Sequence, residues 1–269
     1  MKKCVLYIIL IVGILTACNN GQGNTTQKTD DTFAEKSRKS TFVLDTTSTK
    51  SPRYDCALSI QTIVSDNKKR EEKINRAIQY TIFGSEGNNI DAAIDTLLAA
   101  IRSDYNDMRP EYINEKHINE SAEWFNFTYN LKTKVDYGYD GTIIYEIRCY
   151  SRNGGSKPSE ICTYLNFDPL SGDEIHLTDI FKEGYEEYLC NRLTDALADI
   201  IGANSRQEIK AKGYLNFNDI YPTENFQLGR DSIHFFYNPY DIAPPEQGTT
   251  IIGFAYEELS DILNKPFKQ

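Results

Sequence analysis

The chain has 269 residues, six cysteines and a formal charge of −10. That length allows one large domain or two small ones, with enough residues to bury an apolar core. The acidity argues against a nucleic-acid ligand and against direct contact with anionic lipid headgroups. Lys2 and Lys3 precede an apolar run from Cys4 to Leu15, which ends in Leu15-Thr16-Ala17-Cys18. The run is about 12 residues, well short of the roughly 20 needed to span a bilayer. A charged start, a short apolar core and small residues before a cysteine make a bacterial lipobox. The expectation is a signal peptide over residues 1–17 and a fatty-acyl (palmitate-type) anchor on Cys18. The protein would then be held by its lipid in a membrane of the cell envelope, facing periplasm or exterior.

Residues 18–50 read as a lipidated flexible tether, rich in Asn, Gln, Thr, Ser, Asp and Lys. Such a chain reaches roughly 30 Å root-mean-square. Its apolar exception is Thr41-Phe42-Val43-Leu44, so the folded part begins there or at Arg53. Tyr54 to Val64 alternates as a strand. Ile74, Ala77, Ile78 and Ile82 make a helical stripe stopped by Gly84. Asn89 caps a second helix carrying Ile90, Ile94, Leu97, Leu98, Ile101 and Tyr105, with Arg109-Pro110 limiting it. Glu123–Lys134, Thr142–Tyr150 and Glu160–Phe167 read as three strands joined by Asp140-Gly141 and Asn153-Gly154-Gly155, an antiparallel meander. Asp179–Ile201 repeats apolar residues every four and stops at Gly202. Strands over Ser232–Tyr237 and Thr249–Phe254 flank a Pro-rich loop, and a short helix covers Tyr256–Leu263. The fold class is α+β: antiparallel sheets with packed helices, in two intertwined subdomains.

Cys4 leaves with the signal peptide, and Cys56, Cys149, Cys162 and Cys190 remain. Export permits disulfides. Cys149 and Cys162 flank the Gly-rich turn almost symmetrically and are the favoured pair, set against four reduced, buried thiols.

Several segments make the chain resemble the RsiV-type extracellular domain family, whose members are mostly of unknown function. They are Lys73-Ile74-Asn75-Arg76-Ala77-Ile78, Gly154-Gly155, Tyr164 through Gly172 running into Leu177-Thr178-Asp179-Ile180-Phe181, and Tyr237-Asn238-Pro239-Tyr240-Asp241-Ile242-Ala243-Pro244. The N-terminal half is similar to the domain that accompanies PdaC-type peptidoglycan deacetylases. The resemblance implies a division into residues 51–135 and residues 136–269. It also implies a non-catalytic binding role, since signalling members of the family sense lysozyme. The implied ligand is a lysozyme-like protein or a peptidoglycan-type glycan. Two departures stand out: Gly154-Gly155-Ser156-Lys157 where relatives carry Gly-Gly-Ala-His, and Ala243-Pro244-Pro245-Glu246 where they carry Ala-Pro-Tyr-Ala.

His117, His176 and His234 are far apart and lack metal-ligand spacing, and no CxxC, P-loop, GxGxxG or GxSxG is present. No metal, cofactor or catalytic residue is therefore expected. Asp168, Asp173, Asp241 and Glu246 are the acids available to a glycan-modifying enzyme with paired carboxylates, one alternative reading. A structural envelope lipoprotein is the other. Candidate ligand contacts are Tyr221, Phe226, Tyr240, Asp241 and Glu246, near the C-terminal loops, where exposed aromatics would stack on sugars or anchor a protein.

Overall fold

The computed structural model describes residues 31–115, 122–216 and 218–264. Cys18, the expected signal peptide and His117 lie outside them. In chain order the elements are β1 (Thr32–Val43), β2 (Arg53–Val64), α1 (Lys68–Phe83), α2 (Ile90–Asp107), α3 (Arg109–Glu115), β3 (Phe127–Tyr137), β4 (Ile143–Asn153) and β5 (Ser159–Phe167). There follow α4 (Leu177–Ile180), α5 (Glu186–Ile201), α6 (Arg206–Ala211), β6 (Phe226–Leu228), β7 (Ser232–Tyr237) and β8 (Thr250–Ala255). The architecture is α+β: one sheet in the order β1-β2-β3-β4-β5 and a second in the order β6-β7-β8.

The fold begins earlier than the composition indicates. β1 occupies Thr32–Val43, within the expected tether, and pairs with β2 along its whole length. An edge strand needs few apolar residues of its own: Phe33 and Phe42 reach the core, and Glu35, Lys36 and Arg38 between them find partners. Lys36 and Arg38 pair with Asp91 of α2 at 2.8 and 3.1 Å. Charged residues on an edge also discourage pairing with other chains. Just before β1, Asp31 meets Arg70 of α1 in a bidentate pair at 2.6 and 2.7 Å. Their side chains are only 1 % and 3 % exposed.

β2 and β3 run parallel, a departure from the all-antiparallel expectation. The chain between them carries α1, α2 and α3, long enough to return to the starting end of the sheet. The β3-β4-β5 meander is antiparallel. Ile74 and Ile78 of α1 and Ile90, Ile94 and Leu98 of α2 cover one face of the sheet. They pack on Cys56, Leu58 and Ile60 of β2, Leu131 of β3, Ile143, Tyr145 and Ile147 of β4, and Leu165 and Phe167 of β5. This single core moves the division of the chain. A boundary at residues 135–136 cuts through β3 and separates it from β4 and β5, which complete the same core. The physical boundary follows β5.

The C-terminal lobe packs α5 against β6-β7-β8 through Leu189, Leu193, Leu197, Phe235, Ile252 and Phe254. The long helix expected over Asp179–Ile201 is broken into α4 and α5. Near the end of the described chain, Ile262 accepts a hydrogen bond from Lys182 N and Asn264 N donates to Ile180 O, both at 2.8 Å. Those bonds take up backbone groups that a continuous helix would use.

Three asparagines join the lobes along the outer edge of β5. Asn225, just ahead of β6, accepts from Tyr164 N at 2.9 Å and donates to Cys162 O at 2.8 Å. Asn238, just after β7, accepts from Cys162 N and donates to Cys162 O, both at 2.9 Å. Asn166 of β5 reciprocates, donating to Phe226 O at 2.8 Å and accepting from Leu228 N at 2.9 Å. Each side-chain amide thus acts as a peptide group of a missing strand. The turn after β3 closes a second contact: Tyr139 N donates to Gly229 O at 3.1 Å. A Cβ at Gly138 would lie 1.8 Å from Leu228 O, so only glycine permits that approach.

The Cys149–Cys162 disulfide does not form, and all four described cysteines are free thiols. Arg148 sits opposite Cys162 and Cys149 opposite Ile161, so the two cysteines are one residue out of register. Successive strand residues face opposite ways. Cys149 meets Tyr129 on the helix side, whereas Cys162 packs with Ile144, Tyr164 and Phe236 on the other.

Two stability measurements follow. Asn225→Leu strands the Tyr164 amide of β5 and leaves the Cys162 carbonyl to Asn238 alone, so urea denaturation should show a loss of about 1–3 kcal/mol. A change below about 0.5 kcal/mol would make the joint dispensable. Asp31→Ala leaves the Arg70 guanidinium buried without its carboxylate and should cost about 3–5 kcal/mol, although residue 31 lies in the apparent tether.

Candidate functional site

The candidate surface is built where the lobes meet. The face of β4 and β5 away from the helices, carrying Arg148, Glu160 and Cys162, lies beside Phe236 of β7 and Ile251 of β8. Phe236 and Ile251 are cross-strand partners. Tyr164 stacks on Phe236 with ring centroids 4.2 Å apart and forms the closed end of the angle between the sheets. The open end is a cleft of about 410 Å³ bounded by Pro239, Pro245 and Gly248 of the loop between β7 and β8. Ile251 is 48 % exposed there. Arg148 spans Glu146 and Glu160, so its charge is matched within the wall.

The loop is a braced, protruding element. It starts at Asn238, whose side chain is already fixed to β5. Asp241 N donates to Asn238 O at 3.0 Å, closing a four-residue turn with Pro239 second and Tyr240 third. Asp241 also accepts from Asn238 N at 2.7 Å through its carboxylate. Tyr240 N donates to Ala243 O at 2.9 Å. The third position of such a type II turn requires positive φ and normally holds Gly or Asn. Here it holds Tyr240, at φ 76°. A non-glycine residue in this region costs on the order of 1–3 kcal/mol. Tyr240 is nevertheless 70 % exposed, so burial of its ring does not offset the strain.

The five candidate contacts divide. Tyr221, Tyr240 and Asp241 come together. Tyr221 is 41 % exposed. Its ring lies edge-on to Tyr237 at 5.8 Å and its carbonyl accepts from the Tyr237 hydroxyl at 2.6 Å. Partial burial, with the charge of Asp241 nearby, raises the Tyr221 phenol above its usual value. Asn218 donates to Asp241 O at 3.0 Å, fixing the neighbouring loop to the turn. Glu246 is on the far side of the loop, paired with Lys157 at 3.5 Å. Its own backbone amide, then Lys157, lowers its carboxyl. Phe226 is not a contact. It is 1 % exposed and faces the C-terminal core, because the alternation of β6 turns Phe226 and Leu228 inward.

The four loop acids are all engaged locally. Burial raises the Asp168 carboxyl, but the amides of Ser171 and Leu170 outweigh it and the net shift is downward. Asp173 pairs with Lys73. Asp241 and Glu246 have the partners named above. His176 Nδ1 lies 3.5 Å from Glu224, and the His234 ring rests against Gly253. Among the described residues no cluster of three His, Cys, Asp or Glu could hold a metal, and no helix is long and apolar enough to cross a membrane.

The asparagines and the cleft were not among the sequence candidates. Asn225 and Asn238 look like ordinary turn residues in a linear chain. The Asn-Pro-Tyr-Asp turn carried the one available signal, an aromatic residue where glycine belongs.

Residues 178–257 match a family described as Protein of unknown function (DUF3298), a span within the C-terminal lobe. No curated protein matches the chain. A crystal structure of a DUF3298-family member from Bacteroides fragilis is similar at a TM-score of 0.79 and 25 % identity, covering 88 % of this chain and 95 % of that one. A DUF3298-family protein from Pseudomonas aeruginosa shares the fold at a TM-score of 0.56 and 18 % identity, covering 88 % and 96 %. Both alignments span both lobes, well beyond residues 178–257.

Tyr240→Gly relieves the backbone strain and removes an exposed ring. Thermal or urea unfolding should show a gain of about 1 kcal/mol. A loss of stability would mean that the ring contributes to the fold.

Proposed function

We propose that the protein is a lipid-anchored component of the bacterial cell envelope, an RsiV-type lipoprotein whose folded part is a non-catalytic binding module. Its ligand is a cationic, lysozyme-like protein. The observation that carries this reading is Tyr240, an exposed aromatic held in a strained conformation on a proline-braced loop. A strained, exposed residue is hard to account for by stability and is characteristic of recognition surfaces. A protruding ring suits a partner with a concave surface better than it suits a linear glycan, and aromatics make frequent interface anchors. The acidity of the chain would draw in a basic partner and make association sensitive to salt. The lipobox at Cys18 supplies the anchor. The four loop acids each have a local partner, which leaves the glycan-modifying alternative without an observation of its own.

Binding of the soluble chain from residue 19 to several cationic lysozymes, measured at low and high salt, tests the ligand. Binding should weaken as salt rises, and Tyr240→Ala should weaken it tenfold or more, about 1.4 kcal/mol. Absence of binding at low salt, or unchanged affinity in Tyr240→Ala, contradicts the proposal. Co-sedimentation with purified peptidoglycan in place of lysozyme binding would favour the glycan. Cys18→Ala should abolish fatty-acid labelling and leave the precursor uncleaved; normal labelling would remove the anchor.

A further inference from the structure

The asparagine joint stops short of the start of β5. Cys162 N meets Asn238 and Tyr164 N meets Asn225, so these two residues turn their backbone groups away from β4. Backbone direction alternates along an antiparallel strand. Glu160, two residues before Cys162 and opposite Tyr150, therefore turns the same way. Its N–H and C=O have no hydrogen-bond partner among the described residues. Pro158 has no N–H with which to extend the row. Glu160 is thus a position where a donor and an acceptor both remain open, in line with those that the asparagines take.

Two isoleucines flank that open position, each about half exposed. Ile161, the next residue of β5, is 46 % exposed, and Ile251 of β8 is 48 % exposed. They serve opposite faces. Glu160 and Ile251 both line the cleft between the lobes, whereas Ile161 turns its side chain to the other side of the sheet. The charged residues in the cleft wall, Arg148 and Glu160, pair with each other at 2.9 Å. Lys157 and Glu246, next in sequence to the lining residues Pro158 and Pro245, also pair with each other. What the cleft offers is a free backbone donor, a free backbone acceptor and apolar surface. Natural sheets ordinarily protect an open edge beside exposed apolar side chains.

We infer that the β5 edge at Glu160 is a strand-addition site for a short, extended, uncharged segment of a protein partner. One residue of the segment exchanges both backbone hydrogen bonds with Glu160, as in an antiparallel pair. Residues directly opposite share a face, so its side chain enters the cleft toward Ile251. The neighbouring residues of the segment point the other way and cover Ile161. A single strand thereby shields both exposed isoleucines, which a ligand confined to the cleft would not do. An uncharged segment fits because a charge in the cleft would compete with the Arg148–Glu160 pair. The inference does not rest on the lysozyme reading, since Tyr240 is not among the residues lining the cleft.

The test is an NMR titration of the full chain, in detergent, with acetyl-Ser-Val-Leu-Val-Ser-amide and with the same peptide N-methylated at its leucine. The first peptide should shift the amide signals of Glu160, Ile161 and Ile251 saturably, with a Kd of roughly 1 mM. N-methylation removes the donor that meets Glu160 O and should weaken binding about tenfold or more. Glu160→Pro removes the open N–H and should weaken binding by a similar factor. Proline is tolerated on an edge strand where the N–H faces solvent, so an unchanged thermal midpoint separates lost binding from lost folding. Glu160→Ala keeps the backbone groups and should bind within about twofold of the unaltered chain. If Glu160→Pro fails to fold, the N-methylated peptide still decides. Four results overturn the inference: no saturable shift, equal binding of the N-methylated peptide, a loss in Glu160→Ala as large as in Glu160→Pro, or peptide-free shifts at Glu160 that grow with protein concentration, which would mean that a second copy covers the edge.

Discussion

The edge of β5 governs the rest of the molecule. A sheet edge presents backbone donors and acceptors that must be solvated, paired or covered. Here they are paired, but by side chains. Asn225 and Asn238 reach β5 from the C-terminal lobe, and Asn166 reaches back to β6. A full strand pairing would have merged the two sheets into one. Point contacts from amides let them meet at an angle instead, and that angle forms the cleft beneath Arg148 and Phe236. Asn238 does two jobs, since the residue that clamps Cys162 also begins the strained turn. The position of Tyr240 is therefore fixed by the same bonds that hold the lobes together.

Local pattern made most of the elements legible. Asn67 and Asn89 cap α1 and α2 and Gly84 and Gly202 end α1 and α5 through ordinary side-chain and left-handed geometries. The strands of the meander, β2 and β7 alternate visibly. The failures share one cause, which is that the deciding partner lies far away in sequence. β1 reads as a polar tether because its stabilising groups are β2, Asp91 and Arg70. The helix break at Phe181–Tyr185 depends on Ile262 and Asn264. The Cys149–Cys162 pairing rested on distance from a turn, whereas a register offset of one residue turns the two thiols to opposite faces.

Of the site, the turn chemistry was readable and the surface was not. Asn-Pro-Tyr-Asp indicates a tight turn with an aromatic at its tip, and Tyr221, Tyr240 and Asp241 do gather there. Phe226 is equally aromatic and nearby in sequence, yet the alternation of a three-residue strand sends it into the core. The cleft has no sequence signature, because it draws its walls from both sides of a long chain interval. For the anchor the relation is reversed. The proposed anchor at Cys18 rests on the lipobox alone.

The central claim is that side-chain amides replace a strand along β5, and amide hydrogen exchange tests it directly. The Cys162 and Tyr164 amides have Asn238 and Asn225 as acceptors. Protection of both should match that of the β4–β5 ladder. Asn238→Ala should release Cys162, and Asn225→Ala should release Tyr164, each before the ladder opens. Rapid exchange at both positions in the unaltered protein would contradict the account, since the lobes would then be held by something other than these amides.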